Sequence, residues 1–162
     1  MKETDKETKS VTAAEKFMTV ALFEAEKAKR YGEVPVGAVI VSEGRIIARS
    51  GNKKERTGFS SDHAEMLVIK KAQKKVGDWR LDNCQIYVTM EPCAMCAGAL
   101  INARIGAIYF GAHDMRFGCC GTLMNLPEDS RFNHRCPVTG GILGKECGNI
   151  LTEFFKGKRK ER

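Results

Sequence analysis

Apolar positions in this chain group into stretches with helical spacing and short apolar runs, and their order predicts helices alternating with strands. After Ser10, a candidate cap, Ala13, Phe17, Val20, Ala21 and Ala28 fall on one helical face and predict an amphipathic helix reaching about Arg30. Val34 to Val41 and Arg45 to Arg49 flank the turn-like Ser42-Glu43-Gly44 and predict a hairpin. Ser60-Ser61-Asp62 is rich in capping types, so a second helix should open at His63 and close near Lys75, before Gly77-Asp78. Cys84 to Thr89 predicts a short buried strand, Cys93 to about Ala103 a third helix, Ile105 to Phe110 another strand, and Leu143 to Phe155 a last helix. Between 112 and 137 the Gly, Pro, Asn and Asp residues predict a long loop region that walls a pocket. Residues 1–9 are polar and charge-balanced and are expected to be flexible. Residues 10–156 would then form a single domain and 157–162 a basic tail.

Composition narrows the class. A chain of 162 residues with 43% hydrophobic positions suits one soluble domain with a full core. It carries no apolar run of membrane-spanning length, and its seven cysteines, with no signal peptide, point to reduced thiols in the cytoplasm. The 27 Lys and Arg exceed the 20 Asp and Glu, and the resulting +7 suits a polyanionic partner without specifying one. The distribution says more: Lys156, Lys158, Arg159, Lys160 and Arg162 crowd together just after Phe154-Phe155. An aromatic ring can stack on an unpaired base while cations hold the phosphates, although Phe154 is equally suited to the core. Lys70 with Lys74, and Lys71 with Lys75, form like-charge stripes that fit a solvated helix face as well as they fit RNA.

The candidate chemistry lies in His63-Ala64-Glu65 and Pro92-Cys93-Ala94-Met95-Cys96. Cys93 and Cys96, three apart on the first turn of a helix, share a face and can share an ion, and the helix N-terminus favours their thiolate form. With neutral His63 they make three ligands for zinc, one short of a closed structural site, and the open position admits a water that can ionise near neutral pH. Glu65 is better suited to carrying protons to and from that water than to filling the fourth position. Residues two apart do not share a helical face, so His63 and Glu65 converge only if they lie in the first turn. Other readings of the same residues are a redox dithiol at Cys93 and Cys96, or a structural zinc knot completed by Cys84, Cys119, Cys120, Cys136, Cys147, His113 or His134. Cys119 and Cys120, inside Gly118-Cys119-Cys120-Gly121, read as small packing residues.

The paired motifs resemble the signature of zinc nucleobase deaminases. Val34-Pro35-Val36-Gly37-Ala38-Val39, Tyr87 through Ala99, Arg104-Ile105-Gly106, Phe110-Gly111-Ala112, Phe132-Asn133-His134-Arg135 and Phe154-Phe155 extend the likeness to the bacterial tRNA-specific adenosine deaminases, from about residue 11 to about 159. The resemblance implies a three-layer α/β/α fold of the cytidine-deaminase type, with a central mixed sheet of about five strands. It also implies one Zn²⁺ per subunit on His63, Cys93 and Cys96, proton transfer by Glu65, and a homodimer acting on the anticodon stem-loop of a tRNA, that of tRNA arginine being the expected one. By the same resemblance Asn52, Ala64 and Pro92 would hold the target base. Asn133 and Phe155 would sit near the anticodon loop, Asp114 matches the aspartate of the family's Gly-Ala-x-Asp segment and would bind substrate, and Lys158 and Arg159 of the basic tail are expected on the RNA backbone. Two segments depart from the family pattern: Phe59-Ser60-Ser61-Asp62 stands where Asp-Pro-Thr-Ala is common, and Met115-Arg116 follows Asp114 where a proline is common. Both bear on how flanking nucleotides are held. The implied reaction is hydrolysis of adenosine to inosine at the first anticodon position. Deamination of a free base or nucleoside such as guanine or cytidine would use the same chemistry, and an RNA-binding zinc module would need only the basic and aromatic residues.

Overall fold

The computed structural model describes residues 10–162, so the segment 1–9 expected to be flexible lies outside the described residues. The first helix, α1 (Ala13–Arg30), is capped by Thr12 rather than Ser10: the Thr12 hydroxyl accepts from the Glu15 amide at 3.1 Å. Thr12-Ala13-Ala14-Glu15 is a capping-box sequence, the local signal that outranks a lone serine two residues upstream. β1 (Gly37–Ser42) and β2 (Arg45–Gly51) form the expected hairpin. A four-residue helix, α2 (Lys54–Thr57), then precedes α3 (Ala64–Val76). β3 (Cys84–Met90), α4 (Ala94–Asn102) and β4 (Ala107–Ala112) follow, then the long loop, a two-residue strand β5 (Val138–Thr139) and α5 (Gly144–Lys160). The basic residues expected in a tail from 157 therefore form, through Lys160, the last turn of α5.

The sheet is mixed, in the order β2-β1-β3-β4-β5, with β1 antiparallel to both neighbours and β3, β4 and β5 parallel. Strand alternation divides the core into two faces. Ala38, Ile40, Ile86, Val88, Ile108 and Phe110 pack with Val68, Ala72, Ala97 and Leu100 of α3 and α4. Val39, Val41 and Tyr87 face the other way, against Met18 and Ala21 of α1 and Cys147 of α5. On this second face Tyr87 and Tyr109, register partners on β3 and β4, stack at 4.6 Å. Three layers result, as the resemblance implied. The α1 layer lies close because position 37 is glycine: a Cβ there would fall 1.9 Å from the Ala21 carbonyl oxygen.

Strand direction decides where chemistry can gather. Because β1 is antiparallel to its neighbours, its first residue, Gly37, lies beside Gly51 at the end of β2 and close to the ends of β3 and β4. The chain leaves the sheet along this one edge at Asn52, Glu91 and His113. No helix among the described residues is long and apolar enough to cross a membrane.

Candidate active site

His63 and Cys93 occupy the N-cap positions of α3 and α4, both with extended backbone, and neither side chain is spent on capping its own helix. Ser60-Ser61-Asp62 therefore does not cap α3; it delivers His63 to the cap position. The two helix N-termini meet, so their dipoles converge on one point and favour negative charge there. His63 Nδ1 lies 3.5 Å from Cys96 Sγ and 3.7 Å from Cys93 Sγ, and the three ligand atoms lie within 4.8 Å of one another. A tetrahedral zinc with Zn–S of about 2.3 Å and Zn–N of about 2.0 Å needs N···S edges of about 3.5 Å. The donor set fits a zinc ion in both chemistry and spacing. Among the described residues no further His, Cys, Asp or Glu joins the group, which removes the structural-knot reading. Cys119 and Cys120 are buried in the core, as packing residues.

The three donors are electrostatically coupled to one another. The Cys96 thiol donates toward Cys93, and with His63 alongside it brings Cys93 down to about 4, while this donation and burial push Cys96 up. Hydrogen bonding with Cys93 raises His63 against the opposing effect of burial. Glu65 is the second residue of α3, in the same turn as His63, and is buried. That burial lifts its carboxyl above the ordinary value, and Cys96 and His63 offset the rise without cancelling it.

Around this cluster the structure gathers most of the residues singled out from the sequence. Ala64 and Pro92 are buried beside the ligands. Asn52 is buried at the end of β2, its Nδ2 donating to the Val34 carbonyl at 3.3 Å and its Oδ1 accepting from the Lys54 amide at 3.1 Å. The next amide, Lys53 N–H, bonds the carbonyl of Asp62 at 3.0 Å, which ties the Asn52 loop to the residue before His63. Asp114 starts the long loop and accepts from the Arg116 and Phe117 amides. Ile150 and Leu151 of α5 pack with Val36, Met90 and Ala112, so the turns bearing Phe155, Lys158 and Arg159 project beyond the edge that holds the cluster. Phe155 is 46% exposed, whereas Phe154 is half-buried and meets it edge-on at 5.4 Å. Asn133 is not brought to the site within one chain. It is exposed beside His134, whose Nε2 contacts the Ile105 carbonyl at 2.8 Å, before the start of β4 and at the opposite end of the sheet.

Buried Glu24, Glu33 and Glu91 escaped the sequence reading, and the last two hold loops beside the cluster. Glu33, fully buried, accepts from the Glu55 and Arg56 amides at 3.0 and 2.7 Å and so caps α2 from outside. Glu91 accepts from the amides of Asp114, Cys120 and Thr122 at 3.1–3.2 Å and from the Thr122 hydroxyl. Burial alone would raise Glu91, but these donors outweigh it and hold the carboxyl below the ordinary value. The available signal was an acidic residue within an otherwise apolar run, Gly32-Glu33-Val34 and Met90-Glu91-Pro92, where a charge persists only if it is paired.

Residues 12–159 match the MafB19-like deaminase family model. The tRNA-specific adenosine deaminase of Bacillus subtilis (strain 168) is 50% identical over 152 residues, 94% of each chain. The chain belongs to the tRNA-specific adenosine deaminase family. A solved tRNA:A34 deaminase, studied for A-to-I editing at the wobble position of transfer RNA, superposes with a TM-score of 0.81 at 40% identity, over 84% of this chain and 99% of that one. The guanine deaminase of Bacillus subtilis matches less of the deaminase chain: TM-score 0.58 at 39% identity, over 61% of this chain and 64% of that one. Membership carries the three-layer fold and makes the chain an enzyme of the hydrolytic deaminase class.

Proposed function

We propose that this enzyme converts adenosine to inosine at the first anticodon position of tRNA, using one Zn²⁺ per subunit on His63, Cys93 and Cys96. The observation that carries the reading is the three-donor cluster with buried Glu65 in the same turn, within a chain similar over nearly its whole length to tRNA-specific adenosine deaminases. When bound, zinc supplies the Lewis acidity that makes a water nucleophile available near neutral pH. Glu65 takes a proton from that water and passes it to N1 of the adenine as the C6–O bond forms, then carries the proton of the new C6 hydroxyl to the exocyclic nitrogen. The C6–N bond then breaks and ammonia leaves. A carboxyl lifted by burial suits both acceptance and release.

The target base is flipped out of the loop and held between Ala64 and Pro92, and Asn52 orients it through the hydrogen-bonding capacity its two backbone contacts leave free. Asp114 and Phe155 flank the pocket mouth, and Lys158 and Arg159 hold phosphates. Asn133, remote from its own cluster, would serve the site of a second copy, which supports a homodimer. The tRNA is that of arginine, and the compartment is the cytoplasm. The departures at Phe59 and Met115 are both surface-exposed, where they meet flanking nucleotides rather than the reacting base.

The test is inosine formation in a tRNA arginine anticodon stem-loop with adenosine at its first anticodon position, with guanine, cytidine and adenosine assayed in parallel. Inosine in the RNA alone is the expected result; turnover of a free base alone would overturn the substrate. Metal analysis of the purified protein should find about one zinc per chain, and Cys93→Ala should lose most of it, because two donors hold zinc far less tightly than three.

A further inference from the structure

Outside the catalytic cluster, the C-terminal half of α1, the end of β2 and the middle of α3 enclose a cleft of ≈ 220 Å³ whose chemistry the deamination reaction does not use. Lys27, Lys53, Arg56 and Lys71 line it, with Ser50 at its wall, and Glu24 is the one acidic residue among the lining groups. The arrangement is built rather than a loose solvated face. Arg56 lies 4.0 Å over the Tyr31 ring while its Nε is held 3.5 Å from buried Glu33. Lys71 Nζ donates to the Arg49 carbonyl at 2.9 Å. Glu24, itself buried, is contacted by Arg49 at 3.5 Å and Lys27 at 3.8 Å, so its charge is already answered. Burial, then the neighbouring Lys53, depresses Lys71, the response of a cation crowded by like charges.

We infer that this cleft binds a phosphodiester of the RNA substrate, next to the nucleotide held in the active site. The class of ligand follows from charge and size. Lys27, Lys53, Arg56 and Lys71 outnumber Glu24 and the Glu33 behind Arg56, this excess of positive charge selects a compact polyanion, and the cleft admits a phosphate with part of its sugar. Its position selects the source. Lys53 lines the cleft, Asn52 precedes it in the chain, and the Lys53 amide is bonded to Asp62, next to His63. A strand whose base is inserted at Asn52 thus has its neighbouring backbone over the cleft, while the basic last turn of α5 lies along the same edge of the sheet. This inference rests on the proposed RNA substrate.

The experiment compares wild type, Lys27→Ala, Lys71→Ala, the double variant and a control, Lys16→Ala, as zinc-loaded full-length protein. It measures stem-loop affinity by fluorescence anisotropy across a salt series, and inosine formation at saturating RNA. Lys27→Ala leaves buried Glu24 its contact with Arg49 at 3.5 Å, so it keeps the test valid if Lys71→Ala weakens the edge of β2; thermal melts of both variants identify any loss of fold. The double variant should bind RNA about tenfold more weakly, with a salt slope shallower by about 1 to 2, kcat unchanged and the control unaffected. A stem-loop with guanosine at the first anticodon position should lose the same factor, because phosphate contacts carry no sequence information. Wild-type affinity and salt slope in the Lys27→Ala and double variants would overturn the proposal. So would tight binding of free AMP, abolished by the double variant while RNA affinity stands, since the cleft would then serve a small phosphate ester. A wild type that makes no inosine would instead sink the RNA-editing reading, a result visible in the same assay.

Discussion

Glu65→Ala is expected to keep its zinc and its affinity for the stem-loop while kcat falls by about 10²–10⁴-fold, the usual scale for loss of a positioned proton carrier. The ligands do not depend on Glu65, because His63 and Cys93 are fixed by the caps of α3 and α4 and Cys96 by the first turn of α4. Metal analysis, anisotropy and single-turnover inosine formation separate the three quantities. Glu65→Gln keeps the shape of the pocket but cannot accept the proton, so it should be nearly as slow. Wild-type turnover in either zinc-loaded variant would remove Glu65 from the mechanism.

Glu91→Ala should carry the largest cost in stability, about 3 kcal/mol or more. It strands the amides of Asp114, Cys120 and Thr122, each worth about 1–3 kcal/mol when left unsatisfied, and leaves the Thr122 hydroxyl only its 3.5 Å contact with His113 Nδ1. Urea melts measure it. The pH dependence has a definite sign. Glu91 is held below its unfolded value, so its contribution is fully present above the ordinary carboxylate range and is lost as pH falls through the lowered folded value. The wild type should therefore lose part of its advantage over Glu91→Ala on acidification below about pH 4.5. Gly118→Ala should reproduce the defect in milder form, since a Cβ there would sit 2.4 Å from the Glu91 carboxyl. Both variants should perturb the loop from Asp114 to Thr122 more than the metal ligands.

Long apolar segments and the three-donor cluster were legible in the sequence because they rest on local rules: a helical face on α1, short apolar runs on β1 and β3, and donor spacing at Cys93 and Cys96. What escaped depends on partners distant in the chain. β5 is two residues long and exists through pairing with β4, so no period announces it. α2 is one turn, capped by Glu33 from 22 residues upstream. At the other end, the last helix, expected to stop at Phe155, runs on through the basic residues to Lys160, seated by Cys147, Ile150 and Leu151. The convergence of His63 and Glu65, which helical spacing made questionable, is met because His63 stands at the cap and Glu65 two positions inside it, in the first turn. Asn133 is the residue for which sequence likeness and single-chain placement part company.

The metal ligands and the pocket walls hang from different supports. His63, Cys93 and Cys96 are anchored by helices seated on the sheet, whereas the walls are loops gripped from behind by Glu33 and Glu91. Each grip is made to main-chain amides and is therefore blind to the side chains the loop displays. Residues at the rim, such as Phe59 or Met115, can be exchanged without renegotiating either grip or touching the three-donor cluster. The fold thus keeps reactivity and selectivity mechanically separable, which makes the rim the natural place to retune which nucleobase context is accepted, and the two glutamates the natural limit on how far such retuning can go.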